Sequence, residues 1–284
     1  MSAAPARPFD WNGSNGDRWV ANQARLDRML RPFGEALLAA AAPAIGERVL
    51  DVGCGAGASA FDCARAVGPS GQVLGLDVSE ALVALAERQA ATLDLPVRFQ
   101  LADAATFEPE AGFDLIVSRF GVMFFPEPEA AFANLIQAVG PGGRLVFVCW
   151  RAAGENDWTR LPMAAIRDIV PPPPPPDPEA PGPFSFGDAA RVERIMCQSG
   201  WTDIRLTPFD HPILFGEGDT AEDAVEDAVD LAVQVGPLSR ALADQPEPVR
   251  QEALNAVRQA FARKVAPEGV VIDGAAWIVT AQRA

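Results

Sequence analysis

Three glycines and two aspartates offer the first chemistry in this chain. Val49-Leu50-Asp51-Val52 is a short apolar run holding an acid, and Gly53, Gly55 and Gly57 follow at alternate positions. Ala60, Phe61, Ala64 and Val67 then recur at helical spacing. The pattern is strand, glycine turn, helix. Glycine lacks a Cβ and enters positive φ freely, so a ligand can lie against bare backbone there. Amides at the start of the following helix favour a negative group. Asp77 lies 20 residues after Gly57 and ends a second apolar run, Val73-Leu74-Gly75-Leu76. A carboxylate at that place can accept both hydroxyls of a ribose. Dinucleotide sites favour G-x-G-x-x-G. Here the third glycine comes one residue early, and the acid inside the strand, Asp51, has no task in a dinucleotide fold.

With these residues in place, VLDVGCGAG, LGLDVS and LADA resemble, in order, the motifs of the class I S-adenosylmethionine-dependent methyltransferases. The nearest branch is the small-molecule, ubiquinone/menaquinone-biosynthesis type. The resemblance runs clearly from Arg48 to Trp150 and more loosely on either side. It implies a doubly wound α/β fold, with a mostly parallel seven-stranded sheet and helical cap elements. It also implies that Gly53, Cys54 and Gly55 line the methionine part, with Asp51 nearby or holding its ammonium through water. Asp77 with Val78 would hold the ribose, and Asp103 with the Ala104 amide the adenine. Asp103 also reads as a turn-capping aspartate.

The elements that must position these groups follow from periodicity. Strands are expected at 49–52, 73–77, 97–101, 113–118 and 144–150, with helices at 58–67, 80–93 and 127–139 between them. That alternation argues for a parallel sheet covered on both faces. Ahead of it, Trp11 and Trp19 stand in a polar lead-in, as packing anchors or as a lid. Residues 18–42 carry apolar groups at helical spacing, and Pro32 should break or kink them into two helices. Gly140-Pro141-Gly142-Gly143 reads as a turn before the fifth strand. Residues 151–187 look irregular, and Pro171–Pro176 should be extended polyproline. Helix 188–199, a strand or hairpin arm at 202–214 and two helices within 219–266 follow, the acids of that last stretch reading as a solvated face. The resemblance makes Trp277-Ile278-Val279 an antiparallel strand between the fifth and sixth. The chain thus divides into a cap (1–45), a core (46–150), a proline-rich connection with the sixth strand (151–215), a helical insertion (216–268) and a final strand (269–284).

Strand ends are where ligands of such sheets bind, and Ser118 falls at one, making it a further cofactor candidate. Methyl transfer from a sulfonium is an in-line displacement, so alignment and dryness matter most. A general base helps only a protonated nucleophile. His211, the single histidine, is the candidate base, though Asp210 and Pro212 beside it suggest an edge. Arg119 could orient an anionic or carbonyl group. Phe120, Met123, Phe124 and Trp150, with Trp19, form the candidate wall for an apolar or aromatic acceptor.

Composition narrows the classes. A net charge of −15 argues against a nucleic-acid surface, and one lysine, Lys264, leaves little room for Schiff-base chemistry. Four cysteines show no metal spacing and read as reduced thiols in a cytoplasmic protein, and with no carboxylate cluster to assign the site reads as metal-free. No apolar run is long enough to span a membrane. A homodimer is compatible with all of this. Two other readings stay open: a nicotinamide-dependent oxidoreductase, and a protein that binds the cofactor without catalysis.

Overall fold

The computed structural model describes residues 9–108, 112–171, 177 and 179–284. Eight strands form one sheet: β1 (Arg48–Val52), β2 (Gln72–Asp77), β3 (Val97–Leu101), β4 (Phe113–Arg119), β5 (Val139–Trp150), β6 (Thr202–Gly216), β7 (Val265–Ala266) and β8 (Gly269–Gln282). Their order is β3-β2-β1-β4-β5-β8-β6, with the two-residue β7 pairing β8. The first five are parallel and β8 runs antiparallel to both neighbours. The order reverses between β1 and β4, the point at whose carboxyl ends sheets of this kind bind ligands.

Ten α-helices accompany the sheet: α1 (Ser14–Ala21), α2 (Gln23–Ala41), α3 (Ala58–Val67), α4 (Glu80–Ala90), α5 (Pro128–Ala138), α6 (Asp157–Ile166), α7 (Ala189–Gln198), α8 (Ala221–Gln234), α9 (Pro237–Leu242) and α10 (Glu247–Ala262). The β1–α3 unit falls where the glycine pattern put it. Val49, Leu50, Val52, Leu74, Leu76, Leu115, Ile116 and Val117 are all buried, as strands covered on both faces require.

The N-terminal helices differ from expectation. The break lies at Asn22, whose side chain donates to the Arg18 carbonyl and to Gln234 Oε1, while Pro32 sits inside the unbroken α2. An interior proline costs about 3 kcal/mol. Burying Leu26, Met29, Leu30, Phe33 and Leu37 along α2 returns roughly 8–15 kcal/mol before entropy, so packing wins. Gly140–Gly143 falls inside the span of β5 but leaves its pairing with β4: Val139 pairs Phe113, and register resumes only at Arg144 and Leu115, where the fifth strand was expected to begin.

Residues 151–187 hold a helix, α6, anchored by buried polar groups. Asn156 exchanges hydrogen bonds with both backbone groups of Ala275. Asp157, 1% exposed, pairs with Arg160 and with Lys264 Nζ at 3.0 Å. Burial would raise its pKa, but the Lys264 ammonium, the Asp273 amide and Arg160 outweigh that and hold it below the ordinary value. The polyproline reading of Pro171–Pro176 rests on residues that, Pro171 aside, lie outside those described. Residues 219–266 form three helices, because Pro237 starts a short α9 after Gly236. Their acids are not simply solvated: Asp227 and Asp230 both pair with Arg25 at 2.8 Å, and Glu217 with Arg28 at 3.0 Å, clamping α2 to this insertion.

Removing Lys264 strands a buried carboxylate on its remaining partners. Lys264→Met should lower unfolding free energy by about 2 kcal/mol at pH 7. Denaturant titration checks this, and a loss below about 0.5 kcal/mol would mean the pair does not hold α6.

Candidate functional site

The glycine turn is held from both sides. The Gly53 and Cys54 amides both donate to the Leu76 carbonyl, at 2.8 and 3.0 Å, tying the turn to β2. On the β4 side, a Cβ on Gly53 (φ +67°) would stand 2.7 Å from the Gly121 Cα, so the two glycines meet back to back. A Cβ on Gly57 (φ +94°) would strike the Phe99 and Phe61 rings. Gly55 is different: at φ +54° its missing Cβ would meet nothing within 4 Å. Neighbours explain two glycines, and open space remains at the third.

Asp77 completes that space. Its Oδ2 accepts from the Gly55 amide at 2.8 Å and its Oδ1 from the Ser79 amide at 2.9 Å. Burial pushes its pKa up, while the Ser79, Gly55 and Val78 amides pull it down. Two ionised oxygens offer about four acceptor positions, so these bonds leave others for hydroxyl donors. Asp51 is fully buried one strand over, its Oδ2 accepting from Ser59 Oγ at 2.7 Å and its Oδ1 without a partner among the described residues. Burial lifts its pKa to about 7, against the opposing effects of the Ser59 hydroxyl and the Arg119 charge. Asp103 lies two residues beyond β3, the strand flanking β2. Its Oδ1 accepts from the Ala105 amide at 3.0 Å, so the turn-capping role is real for that oxygen. Ala104, next to it, is buried, and its carbonyl accepts from Asn134.

Several candidates stand elsewhere or are already engaged. The Cys54 side chain turns away toward β2, its Sγ lying 2.9 Å from where a Gly75 Cβ would be, and burial raises its thiol pKa well above the ordinary value. Only its backbone belongs to the turn. Ser118 is fully buried, donating to the Val52 carbonyl at 2.7 Å and accepting from the Gly121 amide at 3.2 Å, so its hydroxyl stitches β1 to the β4 tip instead of facing a ligand. Arg119 pairs with Asp27 of α2 at 2.8 Å, which makes it a tether for the covering helix.

His211 sits on the edge strand β6, opposite Gly274 and three strands from β4, roughly 14 Å sideways at normal strand spacing. Its Nδ1 donates to the Pro212 carbonyl at 2.7 Å, an acceptor that fixes the neutral ring's proton on Nδ1. The structure does not bring it to the glycine turn.

The aromatic wall divides in two. Phe120 and Trp150 stack at 4.1 Å, with Phe33 of α2 edge-on to both and Met123 Sδ 3.4 Å from the Trp150 amide; all four are buried. Phe120 holds φ +63°, a conformation that costs a non-glycine residue about 1–2 kcal/mol. Phe124 is half-buried in a second group, edge-on to Phe9 and Trp11, and Trp11 meets Trp19 at 5.6 Å. Sequence reading missed Asn12, whose side chain donates to the Val78 carbonyl and accepts from the Glu80 amide, seating the N-terminal arm beside Asp77. Its Asn-rich surroundings signalled only a loop. Among the described residues no group of three or more His, Cys, Asp or Glu could hold a metal ion, and no helix is long and apolar enough to cross a membrane.

Known proteins share this core. The model of a methyltransferase domain family matches residues 49–143. Aklanonic acid methyltransferase DauC of Streptomyces sp. (strain C5) is 36% identical over 141 residues, 49% of this chain and 61% of its own length. Demethylmenaquinone methyltransferase of Thermus thermophilus is 36% identical over 101 residues, 35% of this chain and 46% of its own. The matches thus span about half the length of these relatives. Phosphoethanolamine N-methyltransferase 2 of Haemonchus contortus, solved with S-adenosyl-L-methionine, shares the fold with a TM-score of 0.59 at 17% identity, over 99% of this chain and 60% of that one.

Two measurements test this geometry. Gly53→Ala should cost about 3 kcal/mol or more of stability through backbone strain and the Gly121 clash, and Gly55→Ala only about 1 kcal/mol; equal losses would contradict the assignment of open space to Gly55. A folded-state pKa raised above the unfolded value means Asp51 weakens the fold as pH rises from about 4 through 7, and the weakening is complete above that. Asp51→Asn should therefore gain stability relative to the wild type between pH 5 and pH 8, by a few kcal/mol at most. A difference in melting temperature that does not change with pH would refute the shift.

Proposed function

We propose that residues 49–143, which match a methyltransferase domain family, bind S-adenosylmethionine, and that the chain methylates a small apolar or aromatic molecule. The observation that carries this is the open face of Gly55 bonded to the Asp77 carboxylate. A side chain at Gly55 would fill the space a ligand needs, and Asp77 has acceptor positions left for ribose hydroxyls. The unpartnered Asp51 oxygen suits the ammonium of the methionine part, directly or through water. Asp103's second oxygen and the Ala104 amide are the groups for the adenine.

When bound, the cofactor supplies a methyl group on a positively charged sulfur. The chain's own work is to align an acceptor with it and to keep water out. Phe33, Phe120 and Trp150 give that region a dry wall. His211 stacks on Phe209, which meets Phe33 edge-on, so it stands beside the dry wall and not at the glycine turn, and Arg119 is engaged by Asp27. An acceptor oxygen acidic enough to ionise by itself needs neither. A relative named for an acid supports such an acceptor.

The oxidoreductase alternative finds no support among these relatives. Residues 9–45 and 216–268 act as the cap in this reading. A cytoplasmic setting fits the cysteines, which are all free, three of them buried.

Calorimetric titration with S-adenosylhomocysteine tests the reading. The wild type should bind, and Asp77→Ala and Gly55→Ala should bind at least about tenfold more weakly, the loss of two charge-assisted bonds or of the ligand's space. No heat with the folded wild type would end it.

A further inference from the structure

Beside the dry wall lies a second set of groups that the cofactor does not use. Trp158 opens α6, is 7% exposed, and its indole Nε1 has no hydrogen-bond partner among the described residues. Two other indoles are satisfied: the buried Trp201 donates to the Phe132 carbonyl at 3.1 Å and the half-buried Trp277 to the Gly187 carbonyl at 3.0 Å. A buried donor without an acceptor is uncommon enough to need a reason. The Trp158 ring stacks on Phe184 at 5.2 Å, tilts on Trp150 at 5.6 Å, and touches the place where a Cβ of Gly236, just ahead of α9, would stand.

From that same α9, Arg240 reaches toward Phe9. Its guanidinium stands 5.8 Å from the Phe9 ring centroid, and it makes no ion pair among the described residues, although the chain carries 38 acidic residues. The residue as a whole is exposed, yet its head group loses enough water to lower its pKa. Phe9 in turn lies edge-on to Phe124 at 5.0 Å and 3.2 Å from where a Cβ of Gly182 would be. An aromatic ring of the chain itself therefore rests between an uncommitted cation and the Phe124 ring, and the loop containing Gly182 and Phe184 links this place to Trp158.

We infer that Arg240, Phe124 and Trp158 form the acceptor subsite, that it takes a flat aromatic molecule bearing an anionic or carbonyl oxygen, and that Phe9 occupies it until the acceptor enters. Arg240 meets the anionic oxygen and stacks on the ring. Trp158 donates to an oxygen deeper in, next to Trp150 and so toward the methyl-transfer region. The inference rests on the methyltransferase reading for its purpose, but its test does not.

The probes are 2-naphthoate, which is anionic, and 2-naphthamide, its neutral counterpart, each titrated by tryptophan fluorescence into the full chain saturated with S-adenosylhomocysteine and into the free protein. The wild type should bind 2-naphthoate more tightly than 2-naphthamide. Arg240→Gln should weaken 2-naphthoate at least tenfold and leave 2-naphthamide within twofold. Trp158→Phe, which keeps the packing, should leave both probes within twofold, since neither carries an oxygen beyond its carboxyl or amide group, and should weaken 6-hydroxy-2-naphthoate about fivefold; Phe9→Ala should tighten all three by threefold or more. Wild-type protein that binds neither probe, or an Arg240→Gln effect equal for both, would overturn the inference. Calorimetry with S-adenosylhomocysteine alone keeps the two readings apart: if it binds while the probes do not, only the subsite is wrong.

Discussion

The bond from the Gly55 amide to Asp77 is the constraint the rest depends on. It joins two loops, after β1 and after β2, that the sheet only brings alongside each other. A partly buried amide in a positive-φ turn needs an acceptor wherever water is kept away, and a carboxylate accepts best. The same carboxylate also fixes the Ser79 amide at the head of α4. From the other side Gly121 presses on Gly53, and Ser118 holds both β1 and Gly121. The turn is therefore rigid before any ligand arrives, which lowers the ordering cost of binding.

The covering elements are held differently, by charge. α2 lies over β4, β5, β6 and β8 through buried apolar groups. Its outward side is tied by Arg25 and Arg28 to acids of the insertion and by Asp27 to Arg119. Partly exposed pairs like these contribute little each, and they are screened by salt. Such fastening suits a cover that has to loosen for ligands to pass, whereas the apolar seam beneath keeps α2 in place.

Sequence reading reached furthest where one local pattern fixes one local structure. The β1–α3 unit and the β2 aspartate were legible because glycine spacing and an apolar run closing on an acid allow few alternatives. What escaped it were features settled by distant partners. Pro32 does not break α2, because burial along the helix outweighs the lost hydrogen bond. α6 is held by Asn156 and Asp157 through groups more than a hundred residues away, so residues 151–187 alone gave no sign of it. Ser118 and Arg119 sit at the right strand tip but are consumed by Val52 and by Asp27. His211 stood out through rarity, and its place depends on strand order, which a single-residue argument does not contain.

The most direct measurement is a crystal structure of the chain grown with S-adenosylhomocysteine. The account predicts ligand density against the open face of Gly55, with both ribose hydroxyls about 3 Å from the Asp77 carboxylate and the Gly53–Gly57 backbone unchanged. A ligand bound elsewhere, or a sugar lying away from Asp77, would contradict it.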